Sequence, residues 1–476
     1  MGIAADTPKT GGSGLVSLLA PQQPSLSTPR PAVERCGSRR PAFTRKRMRV
    51  SDDRNLAPGA VQQGDRPGFR LLVCRAILGA ALTSVGLLGV AARPAAATTE
   101  IATGSMLGPR YKQKAFYMRR SPRGEWRQTY TERGYRGKAR GKLMVLRLAQ
   151  GIFHDEWMTE HEFDPDVNTN RLIEALDVYK QHGVLAVSVS LQGGNPGYDP
   201  KVNGISRRNG AKHGGSEGML VSAFLPDGSL KPAWLARLER VIRAADERGM
   251  IVNLMYFYQG QDEIFESEQA IDDAARNVTR WLVTNNFRNV VIDIANEWDL
   301  KGETWDQAAF IPENITGLVE VVREQFNGAD FLLPIGASTG GRMAFPASLA
   351  RLCDVVLVHG NGRTPGEKLA RLREFDDYNR TVWMTEDDNG RETTHETLAR
   401  ELASADALFN EAAGWGYMPW VQAQQFPFVY MPGESAEFSD DMPVAQRDPA
   451  YFKAVLEHIA SLVLRKPPDT TIKKKN

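Results

Sequence analysis

Cysteine is scarce. The chain of 476 residues has three, and only Cys353 lies beyond residue 97. An internal disulfide in that larger part is therefore excluded. Cys353 sits in "ARLCDVVLVHG", just ahead of an apolar strand, and reads as a small buried hydrophobe rather than a nucleophile. Histidine is sparse as well, seven in all, and the first strand offers no H-x-H pair, so a metal-dependent hydrolase with several strand-end ligands is the weakest reading. No cofactor is expected. Neither G-x-G-x-x-G after the first strand nor a Walker motif occurs, which argues against nucleotide binding. Basic charge is confined to one end. Of 59 Lys+Arg and 57 Asp+Glu, residues 1–97 hold 14 and 5, a net of +9, which leaves −7 for the rest. The body is acidic and carries no nucleic-acid footprint.

Only one long apolar run exists, "AILGAALTSVGLLGVAA" at 76–92. It is shorter than the roughly 20 residues a spanning helix needs. Arg70 and Arg75 precede it and Ala95-Ala96-Ala97 follows, the layout of a secretory signal peptide with cleavage near Ala97. Residues 1–70, rich in Pro, Gly, Ser, Gln and Arg, read as a disordered extension too long for an ordinary n-region. Residues 71–97 are thus a signal peptide, giving a secreted or periplasmic protein, or else an uncleaved anchor that would hold it at a membrane through 76–92. Residues 98–141 are expected to form a cap or linker with a small β-hairpin, and 467–476 a solvated basic tail.

From residue 142 the apolar pattern alternates. Strands are expected at 142–149, 184–191, 250–257, 289–295, 331–338, 354–360, 381–386 and 416–420, with helices between and after them, ending with one at 449–464. Thr393 with Glu396 predicts a capping box. Eight β/α units over 142–466 predict an α/β fold, a (β/α)8 TIM barrel with a short N-terminal β cap, whose natural size is about 250 residues or more. A doubly wound open sheet is the alternative.

In such a barrel the site lies at the C-terminal strand ends. Those ends carry Gln150 and Phe153, Gln192, Tyr256 and Tyr258, Asn296 and Glu297, Ser338, His359 and Asn361, Glu386, and Trp420. Aromatic faces stack on a pyranose, and amides and carboxylates bind its hydroxyls. Asn296-Glu297 alone is explained by a polar strand end meeting water. Paired with Glu386 three strands on, it meets what glycoside hydrolysis needs: one acid to protonate the leaving oxygen, one carboxylate to attack or to activate water. Their environments should differ, with Glu297 holding its proton. His359 is equally explained by backbone partners. Tyr256 and Tyr258, two apart, should share a side, in the core or against substrate. Asp293, inside the fourth strand, is expected to pair with Arg147.

Asn-Glu ending the fourth strand and a lone Glu ending the seventh resemble clan A of the retaining glycoside hydrolases, the cellulase-like barrels. "QGIFHDEW", "LQGG", "YFYQGQDE" and "TEDDNG" are similar to a group of uncharacterised bacterial cellulase-like proteins. The resemblance implies Glu297 as acid/base, Glu386 as nucleophile, Asn296 on the sugar 2-hydroxyl, His359 positioning nucleophile or substrate, and Trp420 flooring the central subsite. Tyr256, Tyr258, Asn361 and Gln192 join them as candidate substrate contacts. The implied partner is a β-linked oligo- or polysaccharide. Trp298 stands where the clan often has Pro. The second strand lacks the clan's frequent terminal Arg, for which Arg147 on the first strand is an imperfect substitute. A catalytically inactive carbohydrate-binding TIM barrel is the alternative.

Overall fold

The computed structural model describes residues 98–466, apart from 122, 131–134, 155–162, 194–220, 301–304, 306, 308–309, 389–391, 425–426 and 435–436. The expected extension, signal or anchor segment and basic tail lie outside the described residues. Among the described residues no helix is long and apolar enough to cross a membrane.

The chain opens with an antiparallel sheet. Strand β1 (Thr98–Thr103) pairs along its length with β2 (Phe116–Ser121), which pairs with β3 (Arg127–Gln128). The β2–β3 pair is the expected hairpin, and 98–103 adds a third strand to it. The sheet joins the rest at strand beginnings. Thr98 Oγ1 donates to Asp246 Oδ2 (2.8 Å), Ile101 N to Arg288 O (3.3 Å) and Thr381 Oγ1 to Gln113 O (2.7 Å).

The remaining strands are parallel. They are β4 (Val145–Arg147), β5 (Ala186–Ser190), β6 (Ile251–Tyr258), β7 (Val290–Asn296), β8 (Ile335–Gly336), β9 (Ser338–Thr339), β10 (Val355–His359), β11 (Thr381–Glu386) and β12 (Gly416–Tyr417). One sheet has the order β12-β4-β5-β6-β7-β8 and another β11-β10-β9. The two share a single stretch of chain, because β8 and β9 are one expected strand interrupted at Ala337. Ile335–Gly336 pair with β7, and Ser338–Thr339 with β10. At the other side Asp387 bridges Tyr417 in parallel, Ala413 N donates to Val382 O (2.8 Å) and Met418 N to Asp387 O (3.1 Å).

Local chemistry explains the helices. Helix 165–181 starts where Asp164 caps it by accepting from Asp166 N and Val167 N, with Pro165 in its first turn. Helix 268–284 buries Ile271, Ala274, Ala275, Val278 and Leu282, spacings that line one face. In helix 365–374 the capping box is Thr364 with Glu367. In helix 395–411 it is Thr394 with Thr397, one residue past the expected Thr393 and Glu396. The closing helix begins at Val444 and accommodates Pro449. The expected eighth strand shortens to Gly416–Tyr417, and Trp420 opens a helical turn over 420–424. Every residue of β7 is buried, so each polar group on it requires a partner.

Candidate active site

Glu386 ends β11 and His359 ends β10, and the two pair across the ladder after a register shift at Val358/His359. Gly360 N donates to Glu386 O (2.9 Å), fixing the strand end. Glu297 follows directly on β7 and has φ +53, a left-handed backbone that a non-glycine residue adopts only when its surroundings impose it. Strand ends that are not neighbours thus present two carboxylates to one point. One oxygen of Glu297, one of Glu386 and a ring nitrogen of His359 lie within 4.8 Å of one another.

Two side chains bridge the carboxylates. Asn361 Nδ2 lies 2.6 Å from Glu386 Oε1 and 3.4 Å from Glu297 Oε1, and Asn361 Oδ1 accepts from Asp388 N (3.0 Å). His359 Nδ1 lies 3.1 Å from Glu297 Oε1 and 3.5 Å from Glu386 Oε2. Beyond these shared donors the surroundings diverge. Arg147 Nε forms an ion pair with Glu386 Oε2, both side chains being buried. Gln259 Nε2 donates to Glu297 Oε2 at 3.3 Å, and the Glu297 side chain is 13% exposed against 5% for Glu386.

Arg147 organises the floor of the site. Its Nη2 donates to Tyr258 Oη (3.1 Å) and Asn296 Oδ1 (3.2 Å), and its Nη1 to Gln424 Oε1 (3.0 Å). Asn296 Nδ2 passes the chain on to Gln259 Oε1 (2.9 Å). Burial works against the guanidinium charge, but Glu386 chiefly, then Tyr258 and Glu297, outweigh it and raise its pKa. The same balance holds for His359: burial lowers its pKa, the attraction of Glu386 and the hydrogen bond to Glu297 raise it, and the net shift is upward. Burial raises the Tyr258 hydroxyl, partly countered by Arg147, so it stays protonated.

Of the sequence-expected residues, Glu297, Glu386, Asn296, His359, Asn361 and Tyr258 meet in this cluster. Tyr256 does not: it is fully buried and its hydroxyl meets Thr279 Oγ1 (3.1 Å) on helix 268–284. The two tyrosines part because Tyr258 is the last residue of β6, where the chain leaves the sheet for the turn at Gly260 (φ +69). Gln192 is also fully buried. It donates to Ser222 Oγ and Gln261 O (3.1 Å each) and accepts from Tyr258 N (2.8 Å), bracing loops rather than facing the cluster. Trp420 is half-buried at the start of the turn whose last residue, Gln424, reaches Arg147.

The expected Asp293–Arg147 pair does not form. Asp293 Oδ1 instead accepts from Ser338 N (2.8 Å), while Arg147 pairs with Glu386. Burial lifts the Asp293 carboxyl to about 6, against the lowering pull of His359. Gln259 and Gln424 escaped the sequence reading because both lie past strand ends, where strand periodicity carries no signal.

No protein-family model and no curated protein matches the chain. Solved structures resemble it distantly. An exo-β-1,4-mannosidase from Opitutaceae bacterium strain TAV5 is 14% identical over 58% of this chain and 52% of its own, TM-score 0.39. This chain thus spans about half the length of that mannosidase. A β-glucosidase from Thermotoga maritima is 12% identical over 60% and 89%, TM-score 0.41. An endo-β-mannanase/endo-β-glucanase from Prevotella bryantii is 10% identical over 67% and 48%, TM-score 0.44. Each is a glycosidase by name. Likeness at this level assigns no reaction; the side-chain geometry is what bears on chemistry.

Proposed function

We propose that the parallel strands close into a (β/α)8 barrel with the antiparallel sheet at its floor, and that the chain is a retaining glycoside hydrolase acting on a β-linked oligo- or polysaccharide. The observation that carries this reading is the convergence of Glu297 and Glu386 from non-neighbouring strands, oxygen to oxygen within 4.8 Å. Retaining enzymes hold their carboxyl groups about 5–5.5 Å apart, whereas inverting enzymes leave roughly 6.5–9.5 Å for a water.

Roles follow from the surroundings. Glu386, ion-paired with Arg147, attacks the anomeric carbon. Glu297, the more exposed of the two, donates its proton to the departing glycosidic oxygen. The bond from the anomeric carbon to that oxygen breaks as the bond to Glu386 forms. Water then attacks the glycosyl ester, and Glu297 takes the proton back as base. Asn296, held by Arg147 and Gln259, is positioned to meet the sugar 2-hydroxyl. His359 and Asn361 keep the two carboxylates at working distance. Export is part of the proposal, resting on the apolar run at 76–92 followed by Ala95-Ala96-Ala97.

A 2-deoxy-2-fluoroglycosyl fluoride series tests the reading. Peptide mapping should find the label on Glu386, and Glu297→Ala should keep activity on dinitrophenyl glycosides while losing it on unactivated ones. Label on another carboxylate ends the assignment. A wild type that binds glycans but cleaves none replaces it with a binding barrel.

A further inference from the structure

We infer that Ser338 and Asp293 are positioning residues that hold the backbone of Glu297 left-handed and so aim its carboxyl group at Glu386. The inference rests on the reading of Glu297 as acid/base, but its central claim concerns conformation and is testable without turnover.

A glutamate at φ +53 is disfavoured by contact between its own Cβ and backbone. Something outside residue 297 has to select that conformation. Ser338 touches the turn at three points. Its Oγ accepts from Glu297 N (3.4 Å) and donates to Ala295 O (3.4 Å), and its carbonyl accepts from Trp298 N (3.2 Å). The residues before and after the turn, and the turn itself, therefore end on one side chain and its peptide. A hydroxyl accepts from one of these groups and donates to another through a single atom.

Ser338 is itself fixed. It starts β9, just past the interruption at Ala337, where the ladder to β7 has ended at Asp293 and Gly336. Its amide is thereby released from the β7 ladder, and Asp293 Oδ1 accepts it at 2.8 Å. Asp293 lies four residues before Glu297 on the same chain, so the contacts form a closed circuit: Asp293 to Ser338 across the strands, and Ser338 back to residue 297. Both side chains are fully buried. A buried carboxyl pushed up to about 6 is an expensive way to hold one amide, which suits a role beyond packing. Nothing in the proposed chemistry otherwise uses either residue.

The experiment compares Ser338→Ala, Asp293→Ala and Asp293→Asn with wild type, by crystal structure and by kinetics. Asparagine keeps the acceptor and should rescue. In both alanine variants the φ of residue 297 should leave the left-handed region, or its carboxyl should swing away from Glu386. The kinetic probes are the phenyl and 2,4-dinitrophenyl β-glycosides of glucose, mannose, xylose and galactose. On phenyl glycosides kcat should fall about a hundredfold, the cost of misplacing a reacting group by roughly 1 Å, with KM little changed. On dinitrophenyl glycosides, whose leaving group needs no proton, kcat/KM should change little, and Asp293→Asn should track wild type. Unchanged φ and carboxyl position in both alanine variants overturns the inference, as do equal losses of kcat/KM on both leaving groups. If Asp293→Ala fails to fold, Ser338→Ala alone decides. A wild type that cleaves no glycoside removes the hydrolase reading, while the conformation of residue 297 still decides the positioning role.

Discussion

The ends of β7 and β11 deliver the same side chain by opposite means. Glu386 extends an ordinary strand, is buried, and faces a guanidinium. Glu297 stands just past its strand with a left-handed backbone, and the Gln259 amide reaches its carboxyl beside the donors it shares with Glu386. One end spends nothing on conformation and stabilises charge. The other accepts backbone strain and lies nearer solvent. Two groups of identical intrinsic acidity thus sit in unlike surroundings, as the proposed roles require.

Substitutions can break that contrast. The largest effect is expected for Glu386→Gln, which should lower kcat/KM on the order of 10⁴-fold or more, as removal of a nucleophile does elsewhere. Binding of substrate, followed by calorimetry, should survive. Next is Arg147→Met. It leaves Glu386 buried without its ion and should destabilise the fold by about 3–5 kcal/mol in denaturant titrations, whereas the double variant Arg147→Met/Glu386→Gln should recover much of the loss.

Asp293 gives a smaller, pH-dependent effect. Its folded pKa of about 6 lies above its unfolded value of 3.8, so between those values the folded state binds more protons and stability falls as pH rises. The difference amounts to at most about 3 kcal/mol. Asp293→Asn should flatten this slope, raising Tm above pH 6.5 more than near pH 4. The smallest effect sharpens the comparison directly. Glu297→Gly should be more stable than Glu297→Ala by roughly 1 kcal/mol, because glycine alone relaxes at positive φ. On β11 the order should reverse, with Glu386→Gly below Glu386→Ala.

Much of this site was legible before any coordinates. Hydrophobic period placed eight strands and their helices in order, and strand ends nominated Glu297, Glu386, Asn296, His359 and Asn361, all of which meet. What periodicity could not supply was partnership across the sheet. Arg147 and Asp293 both lie inside strands, which suggests a pair, yet Arg147 reaches Glu386 on a strand of the other sheet. A three-residue strand fixes which way a side chain leaves the backbone, not which of several carboxyls it meets. Gln259 and Gln424 sit where the chain has left the strand, and the parting of Tyr256 from Tyr258 depends on where β6 ends, a boundary that apolar residues on both sides conceal. The left-handed φ of Glu297 has no sequence signal at all, since the residue most suited to it, glycine, is not there.

The antiparallel sheet sets how this protein can be mounted. Thr98 is tied to Asp246 and its neighbours to Arg288, where parallel strands begin, while both carboxylates stand where parallel strands finish. A chain entering at Thr98 therefore meets the fold at the strand beginnings, while Glu297 and Glu386 stand at the strand ends. Under the proposed reading, attachment through that end would leave the carboxylate pair facing outward, open to a saccharide too large to diffuse to it.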